Sequence, residues 1–434
     1  IALCCGIETP RIASNLQPMM SKTLQTFRAS FILACTPLTF AIMLDRDPDC
    51  GRARRSGEDA FDIFIEQHQR NFTKGTEEYD RRRELFFHHL DNIDTHNCKG
   101  NQRWSATVNR FSDRTPEELA AQRGYNRHAR SSAPSGPQMD NFMAWTTIDQ
   151  RADLPEEVSW KNLNAVKEIQ DQEQCGSCWA FASSVLLRAH SEIWREDRKF
   201  SFQELVACVH NPHKCGGTGG CEGATGELAM DYVMKHGCRT EEEFPYQGVD
   251  TACPRVLDGE QKSVKSGLDL GMTGWFTLPS NKQLPMMRNL VQRGPLAVAA
   301  AVDDNWFYYS SGVMDSCSTA DPVVNHLVVL IGYGTWLGEK YWEIQNSWGT
   351  SWGDAGYAKI IRTDDEDSVC GMDDRPQEGI ACEGEVDPVK VCGSCGILYD
   401  SIVPIFGSGS RLKEPLMPAA TRFLRSASLH STVN

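Results

Sequence analysis

The sequence predicts an α+β protein with a helical left lobe, a β-barrel-like right lobe and a cleft between them, preceded by a separate helical segment. Three patterns carry this reading. Apolar residues recur at helical spacing around Cys178–Arg195 and Thr225–His236. Strand-like runs follow at Leu296–Val302, Leu327–Gly332, Tyr341–Gln345 and Tyr357–Arg362. A helical half followed by a strand half packs as two layers of different kind, which leaves a groove where they meet. Upstream, Phe61, Phe64, Ile65 and Phe72 share one helical face, and a longer helix is expected over Glu77–Asn97 with Tyr79, Phe86, Leu90 and Ile93 on one stripe.

The 434 residues suffice for two or three domains, and 40% hydrophobic with 24% charged residues fits a globular chain. A formal charge of −14 argues against nucleic acid or an anionic membrane surface as the main partner. Seventeen cysteines point to an oxidising compartment. The apolar run Phe31–Leu44 after Lys22 and Arg28 resembles a secretory leader, with initiation at Met19 or Met20, and no other stretch is apolar enough to span a bilayer. The expected organisation is a leader-like segment (1–58), a helical N-terminal domain (59–125), an exposed linker open to proteolysis (126–152), a main domain (153–406) and a polar, disordered tail (407–434). Asn71-Phe-Thr73 is the single glycosylation sequon.

Chemistry concentrates at Gln172-Glu-Gln-Cys175-Gly-Ser-Cys178-Trp. Two cysteines three apart suit a redox pair, half a zinc site, or a disulfide end beside a reactive thiol. Cys178 opens the helix-forming run Trp179-Ala-Phe-Ala-Ser-Ser-Val-Leu-Leu, which sets its sulfur at the positive end of a helix dipole and favours thiolate. His326 enters a strand 148 residues later and can supply the base; Asn346, 168 residues after Cys178, can hold the imidazole. Gln172 can present its amide to a developing oxyanion, with the Cys178 N–H as second donor.

Gln172–Phe181, Asn325-His326 with Gly332-Tyr-Gly334, and Asn346-Ser-Trp-Gly-Thr-Ser-Trp-Gly353 resemble the papain family of cysteine peptidases, in its cathepsin L type, over roughly residues 61–406. The resemblance implies a papain-like fold with Cys178 as nucleophile, His326 as base and acid, Asn346 as orienter, Gln172 as oxyanion donor and Trp348 as a shield over the His326–Asn346 bond. Glu78, Arg82, Phe86, Ile93 and Asn97 fit the family's inhibitory propeptide helix, with His89 where asparagine is usual. Asn109, Phe111 and Asp113 fit its second motif, with Thr107 where glycine is usual. That segment is implied to run backwards through the cleft, with Asp113, Glu78 and Arg82 as an acid-sensitive latch.

The resemblance further implies disulfides Cys175–Cys221, Cys208–Cys253 and Cys317–Cys395, the last chosen over Cys370 because a strand-like run follows Cys395. Residues 364–394 then form an insertion carrying Cys370, Cys382 and Cys392. Cys215 is expected to pair with Cys238, with His210, His213, Cys215 and Cys221 as an alternative zinc set. Twelve cysteines between Leu154 and Phe406, less Cys178, leave an odd number. Substrate contacts fall on Gly223 and Ala224, with Ala224, Ala299 and Val324 walling the pocket for the second residue before the cut and Asp400 at its base. No segment reads as a plug at either end of the cleft.

The expectation is a cysteine endopeptidase made as a self-inhibited zymogen activated in acid. It acts on proteins and peptides, has its own propeptide as partner, needs no metal or organic cofactor, and works as a monomer in a lysosome, vacuole or outside the cell. The alternatives are a non-catalytic binding or storage homologue, or a propeptide that inhibits in trans.

Overall fold

The computed structural model describes residues 59–124, 154–254, 267–407 and 411–417. The leader-like segment, the 126–152 linker and most of the tail lie outside the described residues.

The prodomain begins with α1 (Asp59–Gln67) and α2 (Glu77–Asn97). Thr76 caps α2 by accepting the Tyr79 N–H, and Glu77, Glu78 and Asp80 place negative charge on its positive end. Tyr79, Phe86, Leu90 and Ile93 are its buried stripe, and Phe86 packs on Phe61 and Phe64 of α1 at 5.4 and 4.8 Å between ring centres. Asn97 ties the helix end to strand β1 (Trp104–Ala106), donating to the Ala106 carbonyl at 2.8 Å and accepting its N–H at 2.9 Å. A five-residue helix α3 (Pro116–Ala120) follows, closed by a Thr115–Glu118 capping box.

The main domain is built on α4 (Cys178–Trp194), buried along all but its last residue. A helix buried on every face belongs in a core; its Arg188, His190 and Glu192 are each hydrogen-bonded there, and α5 (Phe202–Cys208) and α6 (Gly226–His236) pack beside it. On the other side lies a sheet in which β2 (Val158–Ser159), β3 (Met272–Thr277), β4 (Leu296–Ala300), β5 (Tyr309–Met314), β6 (His326–Trp336), β7 (Glu339–Gln345), β8 (Tyr357–Ile361) and β11 (Ser401–Phe406) join β1. The order is β1-β5-β8-β7-β6-β4-β11-β3, with β2 added to β6. The prodomain therefore extends this sheet through its own strand: Trp104 faces Gly312 and Ser105 faces Ser311. Gly312 is required there, since a Cβ would sit 2.3 Å from the Arg103 carbonyl oxygen.

Cys175 is bonded to Cys221, Cys208 to Cys253 and Cys317 to Cys395. Cys215 is bonded to Cys382, not Cys238, which corrects the sequence expectation and removes Cys215 and Cys221 from any zinc set. Cys238 is a buried thiol whose Sγ donates to the Ser201 carbonyl at 3.7 Å. The inserted segment forms a hairpin of β9 (Cys370–Asp373) and β10 (Val389–Cys392), stapled by Cys370–Cys392. A second correction concerns the tail. Residues 411–417 return to the body, with Ser159 and Leu416 exchanging both backbone hydrogen bonds at 2.9 and 2.7 Å.

Candidate active site

Cys178 is the first residue of α4 and is fully buried. Ser177 precedes the helix but does not cap it; its hydroxyl is held by the Tyr246 hydroxyl at 2.8 Å. The positive end of α4 is thus left to the sulfur. Gly176 allows the approach of the Cys221 backbone, whose carbonyl oxygen would stand 2.5 Å from a Cβ at that position.

His326 opens β6, facing Ala300 of β4, and Asn346 follows the last residue of β7. Pairing of β6 with β7 brings the two side chains together, and His326 Nε2 donates to Asn346 Oδ1 at 2.9 Å. Asn346 Oδ1 also accepts the Ser347 N–H at 2.8 Å, which locks the amide orientation. Trp348 lies 5.0 Å from the imidazole centre and is fully buried. His326 Nδ1 is buried with no hydrogen-bond partner, and Cys178 Sγ lies in hydrogen-bond reach of the backbone of Leu327, the next residue.

Gln172 donates from Nε2 to the carbonyls of Cys175 at 2.9 Å and of Gln122 at 3.1 Å, while its Oε1 accepts the Ser347 hydroxyl at 2.7 Å. Gln122 belongs to the prodomain, so a propeptide carbonyl occupies the Gln172 amide. Two residues on, the Gly124 N–H reaches Cys178 Sγ at 3.2 Å. The Gly124 carbonyl oxygen lies where a Cβ at Gly223 would be, 2.1 Å away.

Burial under this segment sets the charge state. It drives the Cys178 thiol up to about 12, against the lowering effect of backbone N–H groups. It drives His326 down to about 4, although the Asn346 bond favours the imidazolium. In the covered site both groups are neutral near pH 7.

Ala224, Ala299 and Val324 are fully buried. They do not line the neighbouring cavity of about 670 Å³, which is instead bounded by residues including Thr225, Glu227, Trp275, Tyr399 and Asp400. Ala299 still touches this wall, its N–H donating to the Asp400 carbonyl at 3.1 Å. Burial, then the carboxyl of Glu227 beside it, pushes Asp400 well above the usual carboxylate range.

Residues 154–380 match the family model described as papain family cysteine protease, and residues 61–119 match that of the cathepsin propeptide inhibitor domain. This chain is a papain-family cysteine protease. A KDEL-tailed cysteine endopeptidase of Arabidopsis thaliana is 32% identical over 302 residues, covering 68% of this chain and 78% of its own. A cathepsin L-like proteinase of Fasciola hepatica is 30% identical, covering 67% and 84%. Among solved structures, a digestive procathepsin L2 proteinase from Tenebrio molitor larval midgut has a TM-score of 0.61 at 25% identity, covering 80% of this chain and 99% of that one. The proform of the ragweed pollen allergen Amb a 11 has a TM-score of 0.61 at 27% identity, covering 82% and 87%.

In this papain-family proform, Phe111 sits in an aromatic cage of Phe307 and Trp348 at 5.2 and 5.4 Å. Asn109 donates to the Phe307 carbonyl at 2.6 Å and accepts the Phe111 N–H at 2.9 Å, shaping the turn that inserts the ring. The latch differs from the sequence expectation. Arg70, not Arg82, grips the buried Asp113 carboxylate, with Nε and Nη2 each at 2.8 Å. Arg82 pairs with Glu78 at 2.6 Å and with Glu118, and donates to the Asp113 carbonyl at 3.0 Å. Glu118 is not among the residues the sequence motifs single out. Nothing in the linear pattern marks Arg70, 43 positions from Asp113.

Burial raises the Glu118 carboxyl, but Arg82, the Thr115 N–H and Arg114 together hold it down at about 2. His89 donates to the Ser112 carbonyl at 2.9 Å and lies 5.3 Å from Tyr308 of the main domain; burial pulls its pKa below 6.5. His68 is lowered in the same way. Folded-state values below the free ones mean stability that is complete above the free value and lost as pH falls. The histidine contribution therefore declines from about 6.5 downward, and that of Glu118 only below about 4.5. In a Cys178→Ser background, where self-cleavage cannot interfere, His89→Asn is expected to flatten the fall in Tm between about pH 6.5 and pH 4.5. An unchanged Tm–pH curve would remove His89 from the latch.

Proposed function

We propose that the chain hydrolyses peptide bonds through Cys178 and His326 once the 59–124 segment leaves the groove. With water restored, the end of α4 and the Asn346-held imidazole favour a Cys178 thiolate beside a His326 imidazolium. The thiolate attacks the substrate carbonyl carbon and the π electrons pass to oxygen. The Gln172 amide and the Cys178 N–H receive that oxyanion. His326 then gives its proton to the leaving nitrogen as the C–N bond breaks. Water, deprotonated by His326, attacks the thioester and releases the acid, restoring Cys178.

The observation that carries this reading is the propeptide carbonyl on Gln172 Nε2, with the next residues reaching Cys178 Sγ. A propeptide backbone carbonyl on the Gln172 amide supports the reading that this amide faces the carbonyl oxygen of a bound peptide. The disulfide-rich, acidic chain and its acid-weakened propeptide suit a lysosome, a vacuole or the extracellular space. Among the described residues no helix is long and apolar enough to cross a membrane. We further assign Gly223 and Ala224 to backbone contacts with substrate, Trp348 to shielding the His326–Asn346 bond, and Asp400 to the pocket for the second residue before the cut.

Acid activation followed by labelling with a thiol-alkylating epoxide tests the mechanism. Label on Cys178, lost in Cys178→Ser and strongly reduced in His326→Ala, is expected; labelling elsewhere, or none, would sink it. Gln172→Ala is expected to lower kcat by about 10²–10³ with little change in KM, because the amide acts on charge that exists only in the transition state. A KM effect alone would assign Gln172 to ground-state binding.

A further inference from the structure

The two donors assigned to the oxyanion come from opposite ends of one short loop. Gln172 opens it and carries the amide; Cys178 closes it and supplies the backbone N–H. The loop begins as a tight turn. The Cys175 N–H donates back to the Gln172 carbonyl at 3.3 Å, and Glu173 between them has a φ of +56°, a left-handed conformation that residues with a Cβ seldom adopt. A turn of this kind keeps its shape only where its surroundings hold it.

One hydroxyl from outside the loop holds both ends. Tyr246 Oη donates to the Gln172 carbonyl at 2.8 Å and lies 2.8 Å from Ser177 Oγ, on the residue before Cys178. The protons follow from what each group can do. A carbonyl only accepts, so the phenolic proton goes to Gln172, and Ser177 gives its own proton to Tyr246 Oη. The other acceptor within reach of Ser177, the Cys175 carbonyl, is farther away at 3.4 Å. Ser177, Tyr246 and Gln172 thus form a directed chain. It joins the residue that bears one oxyanion donor to the residue that precedes the other.

Tyr246 is itself fixed against α4. Its ring stands edge-on to Phe181, one helical turn after Cys178, at 4.7 Å, and Phe181 stacks on Phe202 of α5 at 4.2 Å. The Tyr246 N–H donates to Glu241 Oε1 at 2.7 Å, while Glu241 Oε2 accepts the Phe202 N–H at 3.0 Å. The hydroxyl is therefore referenced to the helix that carries the nucleophile. In the proform the propeptide adds a second hold on the same turn. Gln122 Nε2 donates to the Glu173 carbonyl at 2.7 Å, and the Gln122 carbonyl takes the Gln172 amide. Both contacts go when the propeptide goes, whereas Tyr246, Gln172 and Ser177 all belong to the main domain.

We propose that Tyr246 is a positioning residue for peptide hydrolysis. Its hydroxyl fixes the loop from Gln172 to Cys178, so that the Gln172 amide and the Cys178 N–H converge on one oxyanion after the propeptide has left. This rests on the roles proposed above for Cys178 and Gln172. Tyr246 acts through the loop, so it bears on charge that appears in the transition state and not on formation of the thiolate.

The acid-activated parent, Tyr246→Phe, Gln172→Ala and the double variant are compared on an acetyl-Phe-Arg amide, and each is alkylated with iodoacetamide across a range of pH. Phenylalanine keeps the ring against Phe181 and removes only the two hydrogen bonds. In Tyr246→Phe kcat is expected to fall about 10-fold with KM changed by less than about 2-fold. The rate and pH profile of Cys178 alkylation should stay parent-like, because displacement of iodide from carbon creates no oxyanion. On top of Gln172→Ala, Tyr246→Phe should lower kcat by no more than about 3-fold, since the amide it aims is already gone. If Tyr246→Phe does not mature, Ser177→Ala, which removes one of the two bonds, takes its place with an expected loss of about 3-fold in kcat. A parent-like kcat, or a loss confined to KM, would overturn the proposal. So would slowed alkylation or a full 10-fold loss repeated in the Gln172→Ala background, either of which would reduce Tyr246 to a part of the scaffold. The parent's own alkylation tells the two failures apart. If its Cys178 reacts and hydrolysis ignores Tyr246, the protease reading stands without this role; if its Cys178 does not react, the reading beneath the proposal falls.

Discussion

Cys178→Ser is expected to fold as the proform, keep its propeptide through acid treatment and lose peptide hydrolysis by roughly 10⁴-fold or more. The size follows from what the site offers each atom. A helix end and an imidazole held at 2.9 Å by Asn346 can stabilise a thiolate, because a thiol is far more acidic than an alcohol. They cannot ionise a hydroxyl to a useful extent, so the oxyanion donors remain with no attacking group. Because Cys178 is buried in a close-packed region and serine is smaller, the fold should survive. Steady-state hydrolysis of a Phe-Arg amide, with mass spectrometry to confirm an uncut chain, measures the effect. Retention of even a tenth of the parent rate would show that another group attacks.

The second large effect is expected at Arg70. Its guanidinium grips Asp113 with two hydrogen bonds, and the Asp113 side chain is 1% exposed. Arg70→Ala leaves a buried carboxylate without its main partner, a loss of about 3–5 kcal/mol. The Asp113 backbone is still held by Arg82 and the turn from Asn109 still carries Phe111, so the damage falls on the prodomain and its docking. In the Cys178→Ser chain the prodomain should exchange amide hydrogens and yield to trypsin at neutral pH, and in the active chain latency should fail there. Arg70→Leu/Asp113→Leu should recover part of the loss, because the unpaired charge is removed with its partner. By contrast Lys74, 68% exposed and 3.2 Å from Asp62, should contribute little, because solvent screens the pair. If Arg70→Ala and Lys74→Ala behave alike, the buried latch has no special weight.

Much of this molecule was legible before any fold was known, for definite reasons. The α2 stripe of Tyr79, Phe86, Leu90 and Ile93 and the apolar start of α4 at Cys178 are periodic signals, and periodicity reports directly which face is buried. The residues of the site lie in three short motifs whose neighbours, Trp179, Ser347 and Trp348, are as telling as the motifs. The Cys175 and Cys178 pair also divides by its surroundings, one bonded to Cys221 and one heading a buried helix.

What stayed hidden depends on distances across the fold. Cys215 finds Cys382 and not Cys238 because the inserted hairpin carries Cys382 over the groove, and connectivity has no linear signature. Arg70 meets Asp113 only when the turn after α1 is laid against α3's approach, and Glu227 meets Asp400 only when α6 packs on β11. Residues 411–417 read as a polar tail because edge pairing of Leu416 with Ser159 uses backbone groups, which every sequence possesses. Short-range chemistry is written in residue type and spacing. Partner choice over dozens of positions is set by packing, so it emerges only when the chain is folded.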